Sequence, residues 1–320
     1  MSKDFEFFGE EDFLDKMNNV VLPFFRINML EGEFKSFDGR SIHYYYLRNP
    51  EEKAAIVISH GFCEFNGKYH EMMYYFYQMG YSVFLPEHRG HGYSYRECQD
   101  KGKVYIDDFS TYVEDFHEFV QQIVIGQSVS GRLYLFAHSM GGAIGALYLE
   151  EHPQVFSRAI LSSPMIRLKF GKYPMGLVRI LMRIAEIAGW KKRYAPGQHG
   201  FDNIDVFESS STMSKPRYDY VFHLRQVDEG YSTYGGTYGW VMAADRVTSR
   251  ILKGASRIKV PVLLCQAGMD TLVEAEPQQH LAELSDNIEF VRFDKSKHEI
   301  FNATEDVRLE YYSKLMEFFD

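Results

Sequence analysis

A serine stands between a short apolar run and a string of small residues. The run is Leu133 to Ala137; after His138 and Ser139 come Met140, Gly141 and Gly142, then Gly145. An extended segment entering a helix through such a serine fits the pattern G-x-S-x-G, with Ala137 in the first glycine position. The small residues let strand and helix backbones pass close on either side of the serine. The strained turn that results lifts the hydroxyl above the sheet edge and aims the next N–H, that of Met140, at the same point. The chemistry this predicts is nucleophilic acyl transfer, which requires a base for the hydroxyl proton and an acid to orient the base.

Where a nucleophile occupies a turn of this kind, the acid and then the histidine follow it in the chain. Five histidines follow Ser139: His152, His199, His223, His280 and His298. Only His298 falls in a loop just past the last predicted strand, so it is the expected base. Asp270 follows the preceding strand after Gly268 and Met269 and is the expected acid, with Glu274 as the alternative. Donors for the oxyanion are expected from two backbone N–H groups, those of Met140 and Phe62. Gly61 permits the tight turn that points the second inward. His60 reads as a brace for that loop, and Arg89 as a pin between neighbouring loops. His60, His88 and His91 lie in glycine turns with no converging carboxylates, so no metal and no cofactor is expected.

The elements that must carry these residues alternate. Strands are predicted over 33–37, 41–47, 54–59, 81–85, 133–137, 159–162, 260–267 and 287–293. Helices are predicted over 68–79, 107–125, 140–151, 277–284 and 304–319. Near-continuous apolar strands alternating with helices predict a mostly parallel sheet covered on both faces, an α/β fold. The rhythm breaks from 164 to about 245, where one apolar helix is predicted over 174–190 before a Tyr/Gly-rich stretch ending at Trp240. The chain therefore divides into three: a core segment with the nucleophile (residues 1–163), an inserted cap (residues 164–245), and a second core segment with acid and histidine (residues 246–320). An insert there would cover the strands' C-terminal edge, where open α/β sheets bind ligands.

Composition narrows the class. With 35 basic and 44 acidic residues the 320-residue chain has a net charge of −9, which argues against nucleic acid as a partner. Cys63, Cys98 and Cys265 form neither a disulfide framework nor a metal spacing, and a reducing, cytoplasmic setting fits best. The opening residues 1–21 lack the basic and apolar regions of a signal peptide. Phe5, Phe7, Phe8, Phe13, Leu14 and Met17 could share one helix face, packed against the body. Within 165–193 there are eight basic residues against one acid, Glu186. Basic and apolar residues on one cap predict peripheral contact with an anionic membrane.

Several segments together resemble a known family: His60-Gly61, the run from His88 to Ser94, Ala137 to Gly142, Gly268 to Asp270, and Lys297 to Glu299. The set is similar to the bacterial lysophospholipase and monoacylglycerol lipase branch of the α/β-hydrolases. The stretch Gly235-Gly236-Thr237 with Trp240 strengthens the likeness to the lysophospholipases. The resemblance spans roughly residues 35–318 and implies an α/β-hydrolase fold, a Ser139–Asp270–His298 triad, Phe62 and Met140 as oxyanion donors, a mobile cap, and a single-chain lipid ester as substrate. Two rivals are a broad carboxylesterase on short soluble esters and a non-catalytic binding protein on the same fold.

Overall fold

The computed structural model describes residues 6–170 and 175–320; Phe5, Lys172 and Pro174 lie outside the described residues. Eight strands form one sheet: β1 (Met29–Lys35), β2 (Ser41–Leu47), β3 (Ala55–Ser59), β4 (Ser82–Pro86), β5 (Leu133–His138), β6 (Arg158–Ser162), β7 (Val262–Ala267) and β8 (Ile288–Phe293). Their order is β1-β2-β4-β3-β5-β6-β7-β8. Only the β1–β2 and β2–β4 pairings are antiparallel. The mostly parallel sheet read from the sequence is present, although β1 begins four residues before the predicted 33.

Alternation along the buried strands divides the core into two layers. Val57, Leu135, Ala137, Leu161 and Leu264 face one layer. Ile56, Ile58, Phe136, Ile160 and Leu263 face the other. Helices close both faces, as two-sided burial of a parallel sheet demands. These are α1 (His70–Gln78), α2 (Ser110–Phe119), α3 (Met140–Glu151), α4 (Met175–Ile187), α5 (Lys215–Val227), α6 (Tyr238–Gly254), α7 (Ala275–Glu283) and α8 (Glu305–Phe319). An N-terminal arm adds Phe8, Phe13, Met17, Val21 and Phe25 to the second layer, beside Tyr75 of α1 and Tyr312 of α8. Among the described residues of the expected apolar face, Phe8, Phe13 and Met17 are buried, Phe7 is half-buried and Leu14 is exposed; Phe7 and Phe8 precede the first helical turn, so the set is not one helix face.

Two helices that the sequence reading missed lie between β6 and β7. Helix α5 is polar along much of its length and opens with Pro216 in its first turn. Helix α6 starts inside the Tyr/Gly-rich stretch: Thr237 caps it by accepting from the Trp240 N–H at 3.3 Å. It runs through position 245. Glycine-dense sequence reads as turn, and the cap that starts this helix is visible only once Gly235–Gly236 is seen pairing with Lys103–Val104. The long helix predicted over 107–125 also changes character, continuing beyond α2 as a π-helical stretch, Val120–Val124.

The strand order reverses direction at β3. The chain moves from β3 to β4 on one side, then returns to place β5 on the other. Ser59 pairs with Ala137 across this point, so the loops after β3 and β5 emerge side by side at the sheet's C-terminal edge. That is the crevice where a parallel sheet offers a binding site.

Candidate active site

Ser139 sits between β5 and α3 with φ 54° and ψ −118°, a left-handed conformation that costs a non-glycine residue roughly 1–3 kcal/mol. Serine is a favoured N-cap residue, yet its hydroxyl makes no cap hydrogen bond here. Its neighbours show why the turn needs small residues. A Cβ at Gly141 would stand 2.0 Å from the Ser59 carbonyl oxygen, and one at Gly142 would stand 2.7 Å from Pro164 Cα. A Cβ at Gly145 would come within 2.9 Å of Ala137 Cβ. The methyl of Ala137 therefore occupies room that Gly145 leaves open, and alanine serves where the pattern has glycine.

The hydroxyl goes to His298 instead: Ser139 Oγ lies 2.7 Å from His298 Nε2. On the far side of the ring, His298 Nδ1 lies 2.6 Å from Asp270 Oδ2. Asp270 Oδ1 accepts from the N–H groups of Leu272 (2.8 Å) and Val273 (3.1 Å), which fixes the carboxylate plane. Burial alone would raise the Asp270 pKa. The adjacent His298 and these hydrogen bonds outweigh it and hold the carboxyl below its ordinary value. The Asp270 and His298 side chains are only 6% and 4% exposed, so water does little to screen the pair. Gly268 makes the approach possible: a Cβ there would lie 2.5 Å from Asp294 Cα. Glu274, the alternative acid, points elsewhere and pairs with Arg167 at 3.2 Å.

The loop after β3 is anchored on both sides of Phe62. The Gly61 N–H donates to Glu64 Oε2 at 2.6 Å, and the Cys63 N–H donates to His91 Nε2 at 3.0 Å. Cys63 is left-handed, with φ 57°, and its carbonyl accepts from Arg225 of α5. Among the described residues the Phe62 N–H has no hydrogen-bond partner, and neither does that of Met140 at the start of α3. The Phe62 ring packs tilted against Trp240 with centroids 4.0 Å apart, and Gly236 leaves space for both rings. The Gly-Gly-Thr stretch thus packs against the ring of Phe62.

Of the three clustered histidines, His60 and His91 serve the backbone, while His88 Nε2 lies 2.9 Å from the Ser59 hydroxyl. His60 Nε2 accepts from the His88 N–H at 2.9 Å, and His60 Nδ1 lies 2.8 Å from Gly61 O. Arg89 joins Asp115 of α2 (2.8 Å) and Asp38 of the β1–β2 turn (2.7 Å), so it ties its loop to a helix and a turn rather than to two loops. Sequence reasoning missed Glu64, Lys68, Arg225 and Glu299, all packed around the site. Glu64 stands three residues after Gly61, near enough along the chain to reach the Gly61 N–H.

Between β6 and β7, α4 buries Met182 and Ala185 and exposes Leu177, Ile180, Leu181, Ile184 and Ile187. The sequence presented this helix as apolar around most of its girth; one side packs on α6 and the other meets solvent. The basic residues of 165–193 are largely met within the molecule. Arg179 pairs with Asp245, Arg183 with Glu186, Lys191 with Asp107, and Lys192 with Glu97. A recess of about 150 Å³ lies between α4 and α6, and one of about 650 Å³ beside Arg167 and Glu274. Neither is lined by Ser139, His298 or Phe62. No helix among the described residues is long and apolar enough to cross a membrane.

A crossover sheet with a strained serine turn at its C-terminal edge defines an α/β-hydrolase. Comparison with known proteins carries this further. A family model described as Hydrolase_4, serine aminopeptidase S33, matches residues 50–305, and the chain belongs to that family. Lysophospholipase L2 of Escherichia coli (strain K12) is 30% identical over 255 residues, which cover 79% of this chain and 74% of that one. A monoacylglycerol lipase of Mycolicibacterium smegmatis is 24% identical over 271 residues, 83% of this chain and 88% of that one. The crystal structure of a soluble variant of monoglyceride lipase from Saccharomyces cerevisiae superposes with a TM-score of 0.71 at 19% identity, covering 90% of this chain and 94% of that one. It shares the fold.

Proposed function

We propose that this protein is a serine esterase that cleaves the acyl ester of single-chain lipids, lysophospholipids or monoacylglycerols, through an acyl-enzyme. The observation that carries the reading is the unbroken Ser139–His298–Asp270 hydrogen-bond chain on a strained turn. Ser139 Oγ attacks the ester carbonyl while His298 Nε2 takes its proton. Asp270 holds the Nδ1–H tautomer and stabilises the imidazolium as it forms. The N–H groups of Phe62 and Met140 hold the developing oxyanion. His298 then protonates the departing alcohol, and water activated by His298 releases the fatty acid.

The names borne by the relatives in Escherichia coli and Mycolicibacterium smegmatis support lipid monoesters as substrates. In this reading, residues 164–245 act as a cap between the core segments 1–163 and 246–320. The cytoplasmic protein meets its substrate at a membrane surface through the segment 165–193. Because the basic residues there are mostly paired, the exposed apolar side of α4 leads the contact and charge follows. The test is turnover of a p-nitrophenyl ester chain-length series beside lysophosphatidylcholine and monoacylglycerol. Rising kcat/KM with chain length, together with hydrolysis of at least one of the two lipids, is expected. A maximum at the shortest esters, with both lipids untouched, would mark a broad carboxylesterase.

A further inference from the structure

Beside the serine and histidine lies a buried charge cluster that the proposed reaction does not use. Lys68 Nζ is 2.7 Å from Glu64 Oε1 and 2.7 Å from Glu299 Oε1, and the three side chains are 10% exposed or less. The two carboxylates belong to different regions of the site. Glu64 Oε2 accepts from the Gly61 N–H and the Tyr69 hydroxyl, so it fixes the loop that carries Phe62. Glu299 directly follows His298. It accepts from the Ser211 hydroxyl and from Asn302 Nδ2 (3.0 Å), and its own N–H donates to the Ser211 carbonyl at 3.1 Å. One ammonium thus spans the loop after β3, the loop of His298 and, through Ser211, the insert.

Lysine is among the residues least often buried, and a buried charge is costly unless paired. Burial pushes the Lys68 pKa down, but Glu299 and Glu64 outweigh it and keep the ammonium charged. Apolar residues of similar volume often match or exceed the stability of a buried ion pair, so stability alone is a weak reason for this one. Geometry supplies a better reason. His138 Nε2 lies 3.6 Å from Glu64 Oε1, and the His138 ring stands 4.9 Å from the His298 ring. The cluster therefore braces His298 along the chain through Glu299 and across space through His138.

We propose that Lys68 is a positioning residue for acyl transfer: by bridging Glu64 and Glu299 it holds the Phe62 N–H and the His298 imidazole in register with Ser139. The proposal rests on the triad reading above. It predicts a loss in kcat, because the ammonium does not touch substrate and a misplacement of about 1 Å at the reacting groups costs up to about a hundredfold in rate.

The experiment is Lys68→Met in the full chain, with p-nitrophenyl butyrate as substrate and active sites counted by fluorophosphonate titration, so that misfolded protein is left out. Expected is a fall in kcat per titrated site of about tenfold or more with KM within about twofold. If Lys68→Met yields no folded protein, Glu299→Gln, which keeps the side-chain shape and removes the ion pair on the His298 side, is expected to show the same split. Unchanged kcat per titrated site in whichever variant folds, or a loss carried by KM alone, overturns the proposal. Failure of the triad reading itself appears separately, as wild-type turnover in Ser139→Ala.

Discussion

Ala137 Cβ lies 2.9 Å from the point where a Cβ on Gly145 would sit, so the strand entering the serine turn and the helix leaving it share the space of a single methyl group. Gly145→Ala should therefore force the two elements apart and cost about 1–3 kcal/mol, the usual range for overpacking a dense core. Gly141→Ala is more severe, because its Cβ would meet the Ser59 backbone rather than a side chain. Thermal melts and esterase assays of both variants should show Gly145→Ala folded with a lowered Tm, and Gly141→Ala inactive even where it folds. Wild-type activity in Gly141→Ala would mean the turn does not have the packing described.

The two candidate acids separate cleanly. Asp270→Asn should lower kcat by about three to four orders of magnitude, because an amide favours the wrong histidine tautomer. Glu274→Gln should stay within about twofold of wild type, since Glu274 faces Arg167 on the surface. Steady-state kinetics on one soluble ester decides it, and a reversed pattern would move the acid to Glu274.

Much of this site was legible in the sequence, and the rest was hidden for physical reasons. Ser139, Asp270 and His298 stand at strand ends, where apolar runs stop abruptly and the chain order restricts the choice. The serine turn is local, so its glycine spacing reads directly. The cluster of Glu64, Lys68 and Glu299 joins residues 231 positions apart, and no periodicity reports a long-range ion pair. Helix α6 was obscured by the glycines ahead of it, because its cap depends on a two-residue pairing with Lys103–Val104. The pairing of the basic residues in 165–193 was hidden for a similar reason: the partners Asp107, Asp245 and Glu97 come from outside the segment.

Acid should unfold the protein early. Burial holds His70 and His138 down at about 4, and pushes His60, His88 and His91 down as well. In the unfolded chain these groups bind protons near 6.5, so the stability that their neutral forms contribute is present above 6.5 and is lost as pH falls toward 4. Glu150, raised to about 8 by burial, and Asp115, also raised by burial, titrate in the opposite sense, but they are two groups against five. Differential scanning calorimetry from pH 7 to pH 4 should show a falling Tm. A Tm that holds level to pH 4.5 would contradict the buried, neutral assignment.

Contact with lipid should run through the outer side of α4. Replacing Ile180, Ile184 and Ile187 together by serine removes side chains 50–76% exposed, so the fold should be untouched. Turnover of p-nitrophenyl butyrate should not change, while hydrolysis of lysophosphatidylcholine presented in zwitterionic vesicles should fall by about tenfold or more, given about 0.8 kcal/mol per buried methylene. Equal activity of variant and wild type on vesicles would place the membrane contact elsewhere.

The central claim is that Ser139 is the nucleophile. A fluorophosphonate probe reacts with a serine only where a base and an oxyanion site activate it. After labelling, peptide mass spectrometry should find the adduct on Ser139 alone. Ser139→Ala, with an unchanged circular dichroism spectrum, should take up no probe and lose nearly all turnover. An adduct on another residue, or a folded Ser139→Ala protein that still turns over ester near the wild-type rate, would contradict the account.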